Sequence, residues 1–390
     1  MQTNELFTLG HIMLLGACAL LVVQLVYLFG IYHRIARRRR AEEQAELHFS
    51  RELPPLSVII CAHEESENLR NNLQSILEQD YPEYEVVVIN DGNTDESADF
   101  LTLMEERYRH LYHSFVPESS RYISRKKLAL TLGIKASRYD WVVLTDANCR
   151  PESNQWLRLM ARNFTSRTDV VMGYSGYRRG KGWLHCRVAF DGLFTAMRYL
   201  GCALAGMPYM AQGRNLAYRK EVFFKHKGFS SHLNLQRGDD DLFVNEVATA
   251  DNTRVETHPG ALMRLEPVLR TKDWREEKIG YMSTARFYHG FTRYLLGFET
   301  TSRMLFYVAW LVALVLGLIT RQWFVAAGAF ACFLVRYICQ LIVFLHTCRA
   351  LGEPHRYYAL LVVFDWLQPW QSLRWKLYCL LRKKSDFLRK

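Results

Sequence analysis

The chain has 390 residues, of which 49% are hydrophobic, and carries a formal net charge of +11. This length allows two or more structural units. Much of the basic excess lies beside apolar segments and no nucleic-acid-binding motif accompanies it, so we expect membrane lipids, and not nucleic acid, as its partner. The nine cysteines contain no CxxC pair and no zinc-ligand spacing, which argues against a structural metal cluster.

The first predicted element is a transmembrane anchor with a basic flank at residues 1–40. Residues 7–32 are almost wholly apolar, which is long enough to cross a bilayer. Five arginines follow between residues 34 and 40, whereas the N-terminal flank holds Glu5 and no Lys or Arg. By the positive-inside rule, the N-terminus lies outside and the following chain lies in the cytoplasm. We therefore expect an integral protein of the plasma or inner membrane.

Residues 41–265 are predicted to form a cytoplasmic α/β domain. The apolar runs LSVIIC (56–61), YEVVVIN (84–90) and WVVLTDAN (141–148) alternate with helical stretches such as ENLRNNLQSILEQ. Runs of this kind between helices are typical of a mostly parallel sheet with helices on both faces. In such sheets, ligands bind at the carboxyl ends of the strands.

Polar residues gather at those predicted strand ends, in the sequences CAHEE, NDGNTDES and TDANCRP. Any one of them alone would be explained as a helix cap or a turn. Three at the same edge of one sheet instead predict a crevice lined with carboxylates. Asp146 and Asn148 carry two oxygen ligands of the kind that a divalent cation prefers, only two positions apart.

The C-terminal third is predicted to contain further membrane-associated segments. Residues 266–303 mix aromatic, basic and apolar side chains, which suits amphipathic interfacial helices as well as ordinary core-facing ones. Residues 304–347 hold two apolar segments joined by a short turn, which predicts a transmembrane hairpin. Arg336 within the second segment is costly in lipid, so it should face a partner helix or snorkel to the interface.

The last predicted unit, residues 348–390, contains an apolar segment interrupted by Asp365 and Pro369 and followed by a basic tail. A full crossing would place that tail outside, against the positive-inside rule. We therefore favour a re-entrant or interfacial segment over a third C-terminal crossing.

The segment 54–97, PPLSVIICAHEESENLRNNLQSILEQDYPEYEVVVINDGNTDES, resembles the opening of glycosyltransferase family 2, inverting enzymes with the GT-A fold. RKKLALTLGIKAS resembles the family's G-K-x-x-A-L-N-x-G segment, LTDANCRP its D-x-D motif and GDDDLF its acidic catalytic-base motif. The resemblance covers residues 54–262 through five motifs in order. It implies a GT-A (Rossmann-like) domain that transfers a sugar from a nucleotide-diphosphate donor, UDP- or GDP-linked, to a hydroxyl acceptor.

The resemblance also implies a role for individual residues. Donor binding falls to Glu64, Asp91, Lys126, Asp146, Arg214 and Asn215. Asp146 and Asn148 occupy the positions that hold Mg²⁺ or Mn²⁺. Asn148 stands where the family usually has a second Asp, which removes a negative charge, so dependence on the metal is expected to be weakened.

An inverting transfer needs one carboxylate to take the proton of the acceptor hydroxyl. The candidates are the adjacent residues Asp239, Asp240 and Asp241. Alignment on Gly238 selects Asp240 and alignment on Leu242 selects Asp239; we favour Asp240. Without the upstream motifs, acidic residues at a helix N-terminus would be an equally sound explanation.

These observations predict a membrane-bound inverting glycosyltransferase whose expected acceptor is a lipid-linked glycan or a cell-surface polysaccharide. A processive synthase is less favoured because the chain has few membrane segments and no Q-x-x-R-W motif. The alternative, motivated by Asn148, is a catalytically weakened membrane scaffold that binds nucleotide sugar. A nucleotidyltransferase is disfavoured because no Gly-rich triphosphate loop follows the first strand.

Overall fold

The computed structural model describes residues 2–92, 96–117, 124–268, 270–355 and 357–381. Part of the turn after the second predicted strand and the predicted basic tail lie outside these described residues. An N-terminal helical rod consists of α1 (Gln2–Tyr27), a π-helical turn (Leu28–Tyr32) and α2 (Arg34–Glu43).

The α/β domain follows the rod. Its elements are β1 (Leu56–Ala62), α3 (Ser66–Leu77), β2 (Tyr84–Asn90), α4 (Ser97–Arg107), β3 (Leu111–Phe115), α5 (Arg125–Ala136), β4 (Trp141–Asp146), β5 (Cys149–Pro151), α6 (Trp156–Ala161), β6 (Val170–Met172), β7 (Ser175–Tyr177), α7 (Trp183–Leu204), β8 (Leu216–Arg219), α8 (Lys220–Lys225), α9 (Asp241–Val247), β9 (Thr253–Val255) and β10 (Met263–Leu265). In the described residues, four helices follow the α/β domain: α10 (Thr271–Ala285), α11 (Thr292–Ile319), α12 (Trp323–Ala350) and α13 (Ala359–Leu381).

The main sheet has seven strands in the order β3-β2-β1-β4-β8-β6-β9. Its first four strands are mutually parallel, whereas β8 runs antiparallel to both of its neighbours. The predicted mostly parallel α/β sheet is therefore confirmed. The register pairs Cys61 with Asp146 and Ala62 with Asn90, so β1, β2 and β4 end at the same edge.

The central strands are apolar on both faces because helices cover both. Every described side chain of β1 is buried except that of Cys61, which is half-buried. On one face, α5 approaches the sheet closely at Gly133, where a Cβ atom would lie 2.7 Å from Cγ2 of Ile59. A side chain at this position would therefore force α5 or the contacting side chain of Ile59 to shift.

A second, smaller sheet has three strands in the order β5-β10-β7. Arg264 of β10 lies opposite Arg150 of β5 and Gly176 of β7. Alternate side chains of a strand point to opposite faces. The neighbours of these residues, among them Cys149, Met263, Leu265 and Tyr177, belong to the hydrophobic core beneath the sheet.

Within the described residues, three helical segments are long and apolar enough to cross a membrane: Glu5–Glu43, α11 and α12. The last two form the predicted hairpin, and Arg321 takes a positive φ of 54° in the turn between them. Helix α11 begins at Thr292 and not at the predicted Met304, so the predicted boundary at residue 303 is not a break in the helix.

Helix α13 runs continuously through Pro369 and packs against α10 and α11. Arg336 of α12 lies 2.8 Å from Asp365 of α13, and Arg303 of α11 lies 3.0 Å from the other oxygen of the same carboxylate. All three side chains are buried. Arg336 therefore faces partner helices and does not snorkel, which confirms the first of the two predicted alternatives.

Candidate active site

The carboxyl edge of the main sheet gathers charged residues from three separate parts of the chain. Asp146 ends β4, Lys126 lies in the first turn of α5, and Asp239 lies two positions before α9. The Lys126 Nζ atom lies 3.0 Å from Oδ1 of Asp146 and 3.4 Å from Oδ2 of Asp239. Ser124 fixes the start of α5, because its hydroxyl oxygen accepts a hydrogen bond from the Lys127 N–H.

The charges at this edge stabilise one another. Burial opposes ionisation of Asp146, but the Lys126 ammonium and the Arg214 guanidinium outweigh it and hold its pKa below the usual value. Desolvation opposes the charge of Lys126, yet Asp146, Asp239 and Asp240 together raise its pKa. Both groups are therefore ionised at neutral pH, and Lys126 presents a full positive charge to any ligand at this edge.

Arg214 adds a second cation from the 3₁₀ turn before β8. Its Nε atom lies 3.4 Å from Oδ2 of Asp146, and its Nη1 donates to Oε1 of Glu277 on α10 at 3.0 Å. Burial opposes ionisation of Glu277, but Arg214 and Lys278 lower its pKa overall. Helix α10 thus contributes a carboxylate that keeps Arg214 beside Asp146.

Asn215, the next residue, does not join this group. Its amide oxygen accepts from Nε1 of Trp156, and its amide nitrogen donates to the carbonyls of Tyr174 and Ala261. The side chain is 1% exposed. It links the loops below the site, so the structure gives the predicted donor contact of Asn215 no geometric support.

The three adjacent aspartates face different partners. Oδ2 of Asp240 accepts hydrogen bonds from the Gly213 N–H at 3.0 Å and from the Tyr281 hydroxyl at 2.9 Å. Burial and the charge of Asp239 raise the pKa of Asp240. A carboxylate with a raised pKa in the wall of a charged crevice is suited to accept a proton.

Asp241 points instead into the helical packing. Its Oδ2 accepts from the Tyr288 hydroxyl at 2.7 Å and from the Thr284 hydroxyl. Burial and the charge of Asp240 raise the pKa of Asp241 to about 7. Asp239 is engaged with Lys126, so Asp240 is the candidate base whose geometry is most favourable.

The predicted nucleoside-binding residues lie at the ends of β1 and β2. Asp91 is 5% exposed, and its Oδ1 accepts from Nε of Arg125 at 2.6 Å. Glu64 is exposed, adopts a positive φ of 53° and adjoins Gly92, where a Cβ atom would lie 3.1 Å from the Glu64 Cγ. Glu64 and Asp91 thus lie close together at the same sheet edge as Lys126 and Asp146.

The residues at the predicted metal position offer one carboxylate, from Asp146, and one amide oxygen, from Asn148. Asn148 is half-buried, and its oxygen accepts a weak hydrogen bond from Sγ of Cys149 at 3.4 Å. No group of three or more His, Cys, Asp or Glu residues in the described parts of the chain could hold a metal. This donor set fits Mg²⁺ or Mn²⁺ only where substrate phosphates supply further ligands, which is common for Mg²⁺.

Several residues of the site were not predicted, and three of them are Glu277, Tyr281 and Glu65. Glu277 and Tyr281 lie four positions apart on α10, so they share one face of that helix and reach Arg214 and Asp240 together. Glu65 is the third: burial and the charge of Asp146 raise its pKa to about 6. The i, i+4 spacing of Glu277 and Tyr281 was the only signal in the sequence that placed these two residues on one helix face. It does not indicate which residues that face contacts.

Parts of this chain are similar in sequence to known proteins. Residues 57–224 match the family model described as glycosyl transferase family 2. A poly-beta-1,6-N-acetyl-D-glucosamine synthase of Staphylococcus epidermidis is 33% identical over 93 residues, 24% of this chain and 21% of that protein. The same synthase of Staphylococcus aureus strain COL is 29% identical over 97 residues, 25% of this chain and 22% of that one. The chain thus matches about a fifth of the length of these curated relatives.

Among solved structures, the mannosyltransferase PcManGT of Pyrobaculum calidifontis, in complex with GDP-Man and Mn²⁺, superimposes with a TM-score of 0.53. The match covers 86% of this chain and 98% of that one at 17% identity, so the likeness is one of fold. The seven-stranded sheet and this likeness show the GT-A architecture. Residues 57–224, less than half of the chain, are thus similar to glycosyl transferase family 2.

Proposed function

We propose that the protein is a membrane-bound inverting glycosyltransferase that moves a sugar from a nucleotide-diphosphate donor to a hydroxyl acceptor. The observation that carries this proposal is the meeting of Lys126, Asp146 and Asp240 at one sheet edge. The space among them is small, about 20 Å³, because ion pairs fill it. Binding of a diphosphate would draw Lys126 and Arg214 away from their carboxylates and onto the phosphate oxygens.

In the proposed donor complex, Glu64 and Asp91 accept hydrogen bonds from the base and ribose of a UDP- or GDP-sugar. Lys126 and Arg214 contact the diphosphate. Asp146 and Asn148, with the diphosphate oxygens, would hold Mg²⁺ or Mn²⁺, which when bound neutralises charge on the leaving group. The PcManGT complex contains Mn²⁺ together with GDP-Man, which supports use of a metal among proteins of this fold.

The transfer itself is proposed to need one proton acceptor and a stabilised leaving group. The acceptor hydroxyl oxygen attacks the anomeric carbon while the carboxylate of Asp240 takes its proton. The bond between that carbon and the diphosphate oxygen breaks, and its electron pair stays on the diphosphate. Lys126 and Arg214 stabilise the negative charge that grows there. Attack opposite the leaving group inverts the configuration.

The acceptor is proposed to be a glycan held at the membrane, either lipid-linked or part of a cell-surface polysaccharide. Two observations support this. Helix α10 supplies Glu277 and Tyr281 to the site and packs against α13, which in turn packs against the apolar helix α11. The relatives named above are synthases of a polymer of N-acetylglucosamine. The proposed orientation has the N-terminus outside and the catalytic domain in the cytoplasm.

The test uses the full chain in detergent micelles with a panel of UDP- and GDP-sugars, Mn²⁺ and short lipid-linked acceptors. Release of the nucleoside diphosphate measures turnover, and a rise in Tm measures donor binding. Turnover that Asp240→Asn abolishes while the donor still raises the Tm supports the proposal. Donor binding without turnover across the whole panel would instead support the nucleotide-sugar-binding scaffold.

A further inference from the structure

A second cavity, of about 370 Å³, lies at the outer face of the three-stranded sheet. Its lining consists of Arg150, Pro151, Glu152, Arg178, Arg179, Arg264, Gly352 and Pro354. We propose that this cavity, which we call the arginine pocket, binds a phosphate group, and that the phosphate belongs to an anionic lipid headgroup.

The arginine pocket is separate from the candidate active site. Arg150 and Arg264 point to one face of the small sheet, whereas Cys149 and Leu265 beside them point to the core on the other face. Cys149 directly follows Asn148 of the candidate active site. The arginine pocket and the cavity of the candidate active site share no lining residue, so we treat the ligand of the arginine pocket as distinct from the sugar donor.

The charges of the pocket are only partly compensated. Arg150 and Arg264 lie directly opposite each other on β5 and β10, an arrangement of like charges that destabilises a sheet. In the part of the chain that the structure describes, neither Arg150 nor Arg179 makes an ion pair or a side-chain hydrogen bond. Glu152 pairs with Arg264 at 2.6 Å, and Glu266 pairs with Arg178 at 2.5 Å. Two guanidinium groups are thus left to meet an anion.

Arg264 offers a buried N–H group that can donate a hydrogen bond to a ligand in the pocket. The residue is 8% exposed, and among the described residues its Nη1 has no hydrogen-bond partner, although Oε2 of Glu353 lies 3.7 Å away. That carboxylate already accepts a hydrogen bond from the Tyr174 hydroxyl at 2.6 Å. An N–H group that is buried without a partner costs free energy, and a phosphate oxygen in the pocket would satisfy it. Guanidinium groups bind phosphate with two parallel hydrogen bonds.

The position of the pocket favours a lipid as the source of the phosphate. Gly352 and Pro354 lie within four residues of the end of α12, one of the helices that are long and apolar enough to cross a membrane. The Arg264 Nη2 donates to the Gly352 carbonyl at 2.6 Å, so the pocket sits where the end of α12 meets the α/β domain. Basic pockets at the ends of membrane helices bind anionic headgroups.

The experiment measures the Tm of the full chain in uncharged detergent at constant ionic strength. The added probes are dihexanoyl phosphatidylglycerol, dihexanoyl phosphatidylcholine and inorganic phosphate. The test variant is Arg150→Gln with Arg179→Gln. The matched control is Arg109→Gln with Arg167→Gln, which removes the same charge from exposed positions elsewhere. We expect phosphatidylglycerol to raise the Tm more than phosphatidylcholine does, and the test variant to lose at least half of that difference.

A rise with phosphatidylglycerol alone assigns the site to a lipid headgroup. A comparable rise with inorganic phosphate keeps the phosphate site but overturns the lipid assignment. Equal effects of the two lipids, or equal responses of the test and control variants, would overturn the proposal altogether. The variant Arg150→Lys keeps the charge without the guanidinium fork and should lose part of the response. Nucleotide-sugar binding by the test variant should match the wild type, so its failure to fold would be detected independently.

Discussion

The Tyr281 hydroxyl donates a hydrogen bond of 2.9 Å to Oδ2 of Asp240, the oxygen that also accepts from the Gly213 N–H. Tyr281 belongs to α10 and Asp240 caps α9, so two helices set the orientation of the candidate base. Because hydrogen bonds to a carboxylate favour its charged form, this contact opposes the effects of burial and of Asp239.

Replacement of the base should abolish transfer. Asp240→Asn keeps the size of the side chain but cannot take a proton, and loss of a general base lowers turnover by about 10²- to 10⁴-fold. Release of nucleoside diphosphate measures the loss. Asp239→Asn is the comparison: it removes a like charge, which should lower the pKa of Asp240 and shift the acidic limb of the rate profile to lower pH. If Asp239→Asn abolished turnover and Asp240→Asn did not, the assignment of the base would be reversed.

Tyr281→Phe should shift the same acidic limb in the opposite direction. Transfer requires an ionised Asp240, so the rate falls as pH drops through the pKa of that group. Removal of the hydroxyl takes away a donor to the carboxylate, which raises the pKa further and moves the limb to higher pH. The profile of kcat/KM against pH measures the shift. At high pH the variant should approach the wild-type rate; a uniform loss at every pH would mean that Tyr281 acts in another way.

A carboxylate at the predicted metal position should strengthen metal dependence. Asn148→Asp restores the second acidic ligand, so we expect half-maximal activity at a Mn²⁺ concentration about tenfold lower, a change of about 1.4 kcal/mol. Asn154→Asp, at an exposed position, controls for the added charge. An unchanged Mn²⁺ requirement in Asn148→Asp would place the metal, if one is used, on other ligands.

Ionisation of the buried Asp241 should make the fold less stable as pH rises. Burial and Asp240 raise the pKa of Asp241 to about 7, above its unfolded value, so the folded state binds the extra proton. The stabilisation that the protonated Asp241 gives the folded state is therefore complete below about pH 4 and is lost as pH rises to about 7. In Asp241→Asn this part of the pH dependence of the Tm should disappear, while Asp251→Asn, at an exposed position, should retain it.

The buried ion group of Arg303, Arg336 and Asp365 predicts that loss of its carboxylate strongly lowers the stability of the fold. Asp365→Asn would leave Arg303 and Arg336 without their shared carboxylate, and breaking a buried pair costs about 3–5 kcal/mol. Thermal unfolding in detergent measures the change, again with Asp251→Asn as the matched control. A Tm equal to that of the control would show that the two arginines find other partners.

Much of the α/β domain could be predicted from the sequence because its strands are continuous apolar runs. The predicted strand at residues 84–90 agrees with β2, and Asp146 lies at the predicted strand end. The antiparallel strand β8 was not predicted, since LAYR is short and has no distinctive pattern. The polar sequences directly after β1, β2 and β4 identified the acidic edge, because the register of the sheet aligns the ends of these strands.

The remainder of the site depends on tertiary packing that no local pattern encodes. Asn215 adjoins Arg214 in the chain, yet the 3₁₀ turn directs the two side chains to different surroundings. Glu277 and Tyr281 lie in a segment whose composition equally suits an interfacial helix. The packing of α10 against α9 and against the 3₁₀ turn before β8 gives them their contacts with Asp240 and Arg214.

The shared carboxylate of Asp365 also bears on the biogenesis of the protein. Synthesis proceeds from the N-terminus, so α11 and α12 emerge from the ribosome before α13 does. Until the last helix docks, both arginines lack this shared carboxylate, although Arg303 keeps its ion pair with Glu299 of the same helix. The final packing around these two arginines therefore requires α13, which is synthesised after α11 and α12.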